Sequence, residues 1–185
     1  MTGGNLQSDF WRGKRVLITG HSGFKGSWLT IWLQRMGAQV TGLSLPPATQ
    51  PNLFELSELG RATPSYWVDI RNAQAVLQVV AKVQPEVVFH LAAQALVRPS
   101  YADPLTTFNV NVLGTAHVLD SLRQVSSVRS VVAVTTDKVY KNLEQPLPYR
   151  ENDALGGHDP YSASKAASEL VIACYRDAFL QSQGV

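Results

Sequence analysis

Cysteine is nearly missing from this chain. Cys174 stands alone among 185 residues, so no internal disulfide can close and no cysteine-based zinc site can be built. Long apolar runs are missing too: nothing approaches the roughly 20 consecutive apolar residues of a membrane-spanning helix. An excess of one charge is also absent. Sixteen Lys and Arg against 14 Asp and Glu leave a formal net charge of +2, with no basic run placed to follow a phosphate backbone. Neither nucleic acid nor a membrane is therefore an expected partner, and no metal is expected. The opening stretch "MTGGNLQSDFWRGK" holds no apolar targeting core, which sets a reducing cytoplasm as the expected compartment. There is no internal repeat and no low-complexity tract. With 45% apolar residues, the composition is that of an ordinary globular chain able to bury one core.

What is present is an alternation of two periods. "RVLIT", Arg15 to Thr19, is a short β-branched run that stops at glycines, as a buried parallel strand does. In the next segment Phe24, Trp28, Ile31, Trp32 and Met36 recur every three to four residues, which predicts an amphipathic helix ended by Gly37. "AQVTGLSL" returns to a strand pattern. A third short strand is expected in "YWVDI", ending at Asp69, then a helix over "AQAVLQVVAKV" and a fourth strand in "EVVFHLAA". Phe108, Val112, His117, Leu119 and Leu122 predict a long helix from Leu105 to Arg123. "SVVAVTT" reads as the next strand, inside an apolar run from Val131 that looks buried. Asp159 and Pro160 suit the cap and first turn of a final helix. This order implies an α/β fold, a Rossmann-like doubly wound parallel sheet with helices on both faces.

Chemistry-bearing residues cluster where strands end. "TGHSGFKGS" follows the first strand and opens its helix, so Gly20, Gly23 and Gly26 let the backbone turn and approach a pyrophosphate at a helix N-terminus. His21, Phe24 and Lys25 belong to the same candidate loop; a purely structural turn is the alternative. The acidic residue expected about 20 positions on, to hold a ribose hydroxyl, is replaced by Ser44. No Arg stands there for a 2′-phosphate, so this position does not decide between NAD and NADP. Asp69, with Ile70 beside it, is placed to accept an adenine amine or else to cap the helix that follows. Leu91, Ala92 and Ala93 in "HLAAQ" leave room for a flat cofactor or for helix packing. Tyr161 and Lys165 lie one helical turn apart, and an ammonium beside a phenol favours phenolate, a usable base.

Together the glycine pattern, "HLAAQ", "NVLGT", Thr136 and Tyr161-x-x-x-Lys165 resemble the extended short-chain dehydrogenase/reductases, which act on nucleotide sugars. More narrowly, "TGHSGFKGSWL", "GLSLPP", "HLAAQALVRPSY", "TTDKVYKN" and "YRENDALGGHDPYSASKAASEL" are similar to the nucleotide-sugar 4,6-dehydratases of the group acting on CDP-glucose. The resemblance runs from about Gly13 onward but covers only that family's cofactor-binding half. It implies that residues 1–185 form one NAD-binding domain of a truncated chain, with the substrate-binding domain expected beyond Val185. It further implies NAD as cofactor, CDP-glucose as substrate, and a homodimer or higher oligomer formed by the helices at Leu105 to Arg123 and Pro160 to Gln181. In the mechanism it implies, Tyr161 takes the 4-hydroxyl proton, helped by Thr136 and Lys165. Lys138 takes the C5 proton and Asp137 protonates the departing 6-hydroxyl. Relatives acting on dTDP-glucose carry Glu where this chain has Lys138. An epimerase or reductase of the same superfamily, or a non-catalytic NAD-binding module, remains the alternative.

Overall fold

The computed structural model describes residues 6–185; the first five residues of the leader, part of the stretch read above for targeting signals, lie outside the described residues. In chain order the elements are α1 (Leu6–Trp11), β1 (Arg15–Thr19), α2 (Phe24–Arg35), β2 (Gln39–Ser44), α3 (Leu53–Leu56), α4 (Leu59–Ala62), β3 (Ser65–Trp67), α5 (Ala73–Val83), β4 (Val87–His90), α6 (Val97–Ala102), α7 (Pro104–Phe108), α8 (Thr115–Leu122), β5 (Ser130–Ala133) and α9 (Pro160–Tyr175). Among the described residues they build a five-stranded sheet, all parallel, in the order β3-β2-β1-β4-β5. β1 is buried on both faces from Val16 to Thr19, which is why it reads as an unbroken apolar run. Leu17, Leu43 and Val88 pack with Val76, Val80 and Leu119 of α5 and α8 on one face. Val16, Ile18, Val40 and Val87 pack with Leu33 of α2 on the other. After β3 the chain crosses back to the far side of β1, so the sheet has a topological switch point between β1 and β4, and in open sheets of this kind ligands bind at the carboxyl ends of the strands there. Among the described residues no helix is long and apolar enough to cross a membrane.

α2 turns the opposite way from the expectation raised by its aromatic spacing. Phe24 is 72% exposed, Trp28 54% and Trp32 62%. Gly26, Ser27, Thr30 and Leu33 are buried instead. The cause is closeness: a Cβ on Gly26 would lie 2.1 Å from the Gly20 carbonyl oxygen, so only a narrow, small-residue face fits against the loop leaving β1. The hydroxyls that this buries are satisfied, Ser27 donating to His21 O at 3.0 Å and Thr30 to Gly26 O at 2.8 Å.

β5 is also less buried than its sequence suggests, with Val132 43% exposed. It is the edge of the described sheet, so only Val131 and its neighbours on one face are covered. The third strand stops at Trp67 and the fourth at His90, leaving Asp69 and Leu91 to Ala93 in the loops beyond. The long helix expected from Leu105 is present, but a π-helical segment, Asn109–Gly114, separates α7 from α8. The wider turn shifts the helical phase, so Phe108 is exposed while Thr107, Asn111, Gly114 and Thr115 face inward. α9 continues through a second π-helical segment, Arg176–Leu180.

Candidate active site

The candidate site begins where β1 ends. Gly20 has φ +76°, and a Cβ there would lie 2.8 Å from the Ala92 amide nitrogen, so the loop after β1 touches the backbone leaving β4. α2 starts at Gly23 with no side-chain cap, whereas α5, α7 and α9 are capped by Asn72, Asp103 and Asp159. The first N–H groups of this 12-residue helix are thus left for another acceptor, with Lys25 exposed beside them. A pyrophosphate matches that set of donors.

His21 props the loop from beneath. Its ring is fully buried, with Nε2 2.8 Å from Ser65 Oγ and Nδ1 3.1 Å from Ser44 Oγ. It stacks on Trp67 at 5.6 Å and fills the space over Gly42, where a Cβ would overlap the ring. Burial lowers its pKa to about 4, so the ring is neutral at pH 7 and only the main chain of His21 can meet a ligand. Ser44, at the end of β2, is drawn into the same cluster, its hydroxyl 2.9 Å from Ser22 Oγ.

Asp69 is held by Arg71, which donates two guanidinium N–H groups at 2.9 and 2.6 Å and its backbone N–H at 2.9 Å. Those bonds keep its carboxyl below the ordinary Asp pKa. The capping role considered for Asp69 falls to Asn72, whose side chain accepts from Ala75 N at 3.0 Å. Ile70 is buried against the π-helical segment, where a Cβ on Gly114 would lie 2.6 Å from Ile70 Cδ1.

Sequence reasoning missed the polar chain that holds the β4 exit. Thr19 Oγ1 lies 2.6 Å from His90 Nδ1, and His90 Nε2 lies 2.9 Å from Thr115 Oγ1. Thr115 donates its proton to Asn111 O at 2.6 Å, so its oxygen accepts from Nε2–H and the Thr19 hydroxyl donates to Nδ1. Burial first, and the nearby Lys165 charge second, lower the His90 pKa to about 3. Asn111 accepts from Gln94 N at 2.8 Å and donates to Gln94 O at 3.0 Å and Ser164 Oγ at 2.8 Å. Ala92 and Ala93 are therefore clamped between Thr19 and Asn111, with Ala92 N donating to Thr19 Oγ1 at 3.1 Å. A signal existed: Thr107, Asn111 and Thr115 recur every four residues, a polar stripe within an apolar helix.

At the exit of β5, Thr136 Oγ1 accepts from Lys138 N at 3.4 Å and caps a single 3-10 turn, Asp137–Val139. Val139 is buried, whereas Asp137 and Lys138 are exposed. α9 packs against this turn. Its start is held by the Asp159 carboxylate accepting from Ser162 N at 2.9 Å and by Ser100 Oγ accepting from Tyr161 N at 3.1 Å. Tyr161 and Lys165 are both buried on α9. Lys165 Nζ donates to Val134 O at 3.3 Å, and burial, opposed by Glu169, lowers its pKa to about 8. The structure thus packs the turn that carries Thr136, Asp137 and Lys138 against the helix that carries buried Tyr161 and Lys165. Among the described residues no group of three or more His, Cys, Asp or Glu is placed to hold a metal ion.

A family model described as GDP-mannose 4,6 dehydratase matches residues 17–181. The chain is 48% identical over 174 residues to a CDP-glucose 4,6-dehydratase of Salmonella typhimurium, covering 94% of this chain and 48% of that protein. It is 34% identical to a CDP-paratose 2-epimerase of Salmonella typhi, covering 89% of this chain and 54% of that one. The crystal structure of Thermus thermophilus UDP-glucose 4-epimerase in complex with NAD superposes with a TM-score of 0.77 at 32% identity, covering 89% of this chain and 51% of that one. The chain spans about half the length of the relatives it matches.

Proposed function

The chain belongs to the GDP-mannose 4,6-dehydratase family, and from that premise we propose that the whole protein is a cytoplasmic nucleotide-sugar 4,6-dehydratase converting CDP-glucose to CDP-4-dehydro-6-deoxyglucose and water. The observation that carries the reading is the packing of the Asp137–Val139 turn, capped by Thr136, against the helix that bears Tyr161 and Lys165. The 48% identity to the Salmonella CDP-glucose enzyme supports the choice of sugar nucleotide. Residues of the sugar pocket are assigned to a further domain.

In this reading the glycine loop and the uncapped start of α2 hold the pyrophosphate, and Ala92 and Ala93 give the rings room. NAD held there would supply the redox chemistry, as acceptor of the C4 hydride and source of the one delivered to C6. Tyr161 takes the proton of the 4-hydroxyl, which Thr136 holds, while the Lys165 ammonium steadies the charge. The C4 ketone acidifies the C5–H bond. Lys138, as the free amine, removes that proton, and Asp137, in its protonated form, gives one to the 6-hydroxyl, which leaves as water. Lys138 then returns its proton to C5, and the proton collected by Tyr161 replaces the one Asp137 gave. Asp137 and Lys138 are exposed to solvent in this chain, so the bound sugar nucleotide must cover them.

With CDP-glucose and NAD, the whole protein should release a product lighter by one water, with no net NADH. An isomer of unchanged mass would point to the epimerase chemistry named for its structural relatives, which has no use for the Asp137 and Lys138 pair. Tighter binding of NADP than of NAD would overturn the cofactor assignment.

The same reading includes a dimer. Leu105, Leu113 and Leu170 are exposed on the helical layer formed by α7, the π-helical segment and α9. An isologous contact between two copies would bury them in a four-helix arrangement. Sedimentation of the whole protein at micromolar concentration should give a dimer or larger, and a monomer alone would overturn this.

A further inference from the structure

Two successive residues at the exit of β5 are tied to two residues of α9 that lie one turn apart. Val134 accepts from Lys165 Nζ through its carbonyl at 3.3 Å. Next to it, the Thr135 hydroxyl donates to the Glu169 carboxylate. Tyr161, Lys165 and Glu169 follow one another at intervals of four, so the bonds form a ladder down the face of α9 that carries the buried phenol. Beyond them the chain turns at once into Thr136, Asp137 and Lys138, a turn fastened on its far side by buried Val139 and by the bridge between Tyr140 and Leu155. Among the described residues, the bonds within it are Val139 N to Thr136 O at 3.2 Å, Tyr140 N to Asp137 O at 3.3 Å, Lys138 N to Thr136 Oγ1 at 3.4 Å and the Thr136 hydroxyl to Asp137 Oδ1 at 3.1 Å, while Val139 O accepts from Gly156 N at 2.8 Å on its far side. β5 is an edge strand, so no described strand on its outer side steadies that exit.

We infer that Glu169 is a positioning residue of the active site, which through Thr135 sets the spacing between the Thr136 to Lys138 turn and the Tyr161 and Lys165 pair. This rests on the dehydratase reading for what the spacing serves. The clasp itself does not depend on it. Lys165 does not hold the residue that leads into the turn: its ammonium is bonded to the Val134 carbonyl, whereas Glu169, one helical turn further from Tyr161, holds Thr135. Charge adds a second contribution: Glu169 opposes the burial that lowers the Lys165 pKa.

The test uses Glu169→Leu, Glu169→Gln and Thr135→Val in the whole protein, read by hydrogen exchange at the amides of residues 135–140 and by steady-state kinetics. Glu169→Leu and Thr135→Val should each speed exchange in that turn while leaving α5 and β1 protected. Combining them should add little, because both break one bond. Glu169→Gln keeps an oxygen for the Thr135 hydroxyl and should restore protection. In turnover, Glu169→Leu should lower kcat by up to about 10²-fold, the loss associated with roughly 1 Å of misplacement, with KM little changed. Glu169→Gln should recover most of it. Unchanged exchange in Glu169→Leu, or a Gln variant as unprotected as the Leu variant, overturns the inference. Should the unsubstituted protein not turn over CDP-glucose, the dehydratase reading fails, and the exchange measurements still decide the clasp.

Discussion

Lys138→Ala should stop water loss while sparing oxidation at C4. Tyr161, Thr136 and Lys165 are untouched by the change, so mixing the variant with CDP-glucose and NAD should build up a bound NADH absorbance that does not decay. Loss of a proton-transfer partner costs about 10² to 10⁴ in rate. Removing a solvated amine costs little, and Lys138 is exposed, so the two roles predict results far apart. Exchange of solvent deuterium into C5 is the sharper measurement: it should vanish in Lys138→Ala. Lys138→Glu supplies a different base at the same place and should bring back part of the exchange. Full turnover with normal C5 exchange in Lys138→Ala would remove Lys138 from the mechanism.

Gly26→Ala should be the most damaging single methyl group that can be added to the glycine loop. The new Cβ would lie 2.1 Å from Gly20 O and 2.8 Å from His21 Cα. Both are main-chain atoms and cannot swing aside, so the start of α2 has to move, and with it the N–H groups assigned to the pyrophosphate. Overpacking of this kind costs about 1–3 kcal/mol, which, if it falls on the binding geometry, is a loss of NAD affinity of roughly five-fold to 150-fold. Calorimetry with NAD and thermal unfolding should both register it. Gly23→Ala is the contrast, since its Cβ would meet nothing nearer than Gly20 O at 3.4 Å. That variant should unfold normally, so any affinity it loses reports the approach of the ligand. Equal NAD affinity in Gly26→Ala and the unsubstituted protein would remove the loop from the binding site.

β1 and α5 were legible from sequence to the residue, because their signals are local: a β-branched run ended by glycine, and an apolar stripe at helical spacing. The α2 stripe misled for a reason that no local pattern carries. Amphipathicity says that a helix has two faces, and here the demand for close approach at Gly26 overrode the size of Phe24, Trp28 and Trp32 in choosing which one packs. Asp69 was read as a possible cap because its type and place suit one, and Arg71 two residues later captured it instead. The β5 run looked buried because Val131 to Val134 are apolar, but exposure depends on having a neighbour in the sheet, which composition does not record. At the site, Gly20, Gly26, Tyr161 and Lys165 stood out by spacing. His90, Asn111 and Glu169 did not, because their importance lies in partners 25, 53 and 34 residues away.

The pairing of Thr19 with His90 also bears on how the chain avoids misfolding. β1 and β4 run side by side with Val16, Leu17, Ile18 and Thr19 opposite Val87, Val88, Phe89 and His90. Strands buried on both faces have no polar side to keep out of the core, so hydrophobicity alone would tolerate sliding one past the other. The last rung does not tolerate it. A slip of one residue would turn the imidazole away from both Thr19 and Thr115, leaving buried polar atoms unpaired at about 1–3 kcal/mol apiece. That penalty falls on every misaligned pairing and on none of the correct ones. A single polar rung at the rim therefore favours the one alignment that sets the glycine loop beside Ala92.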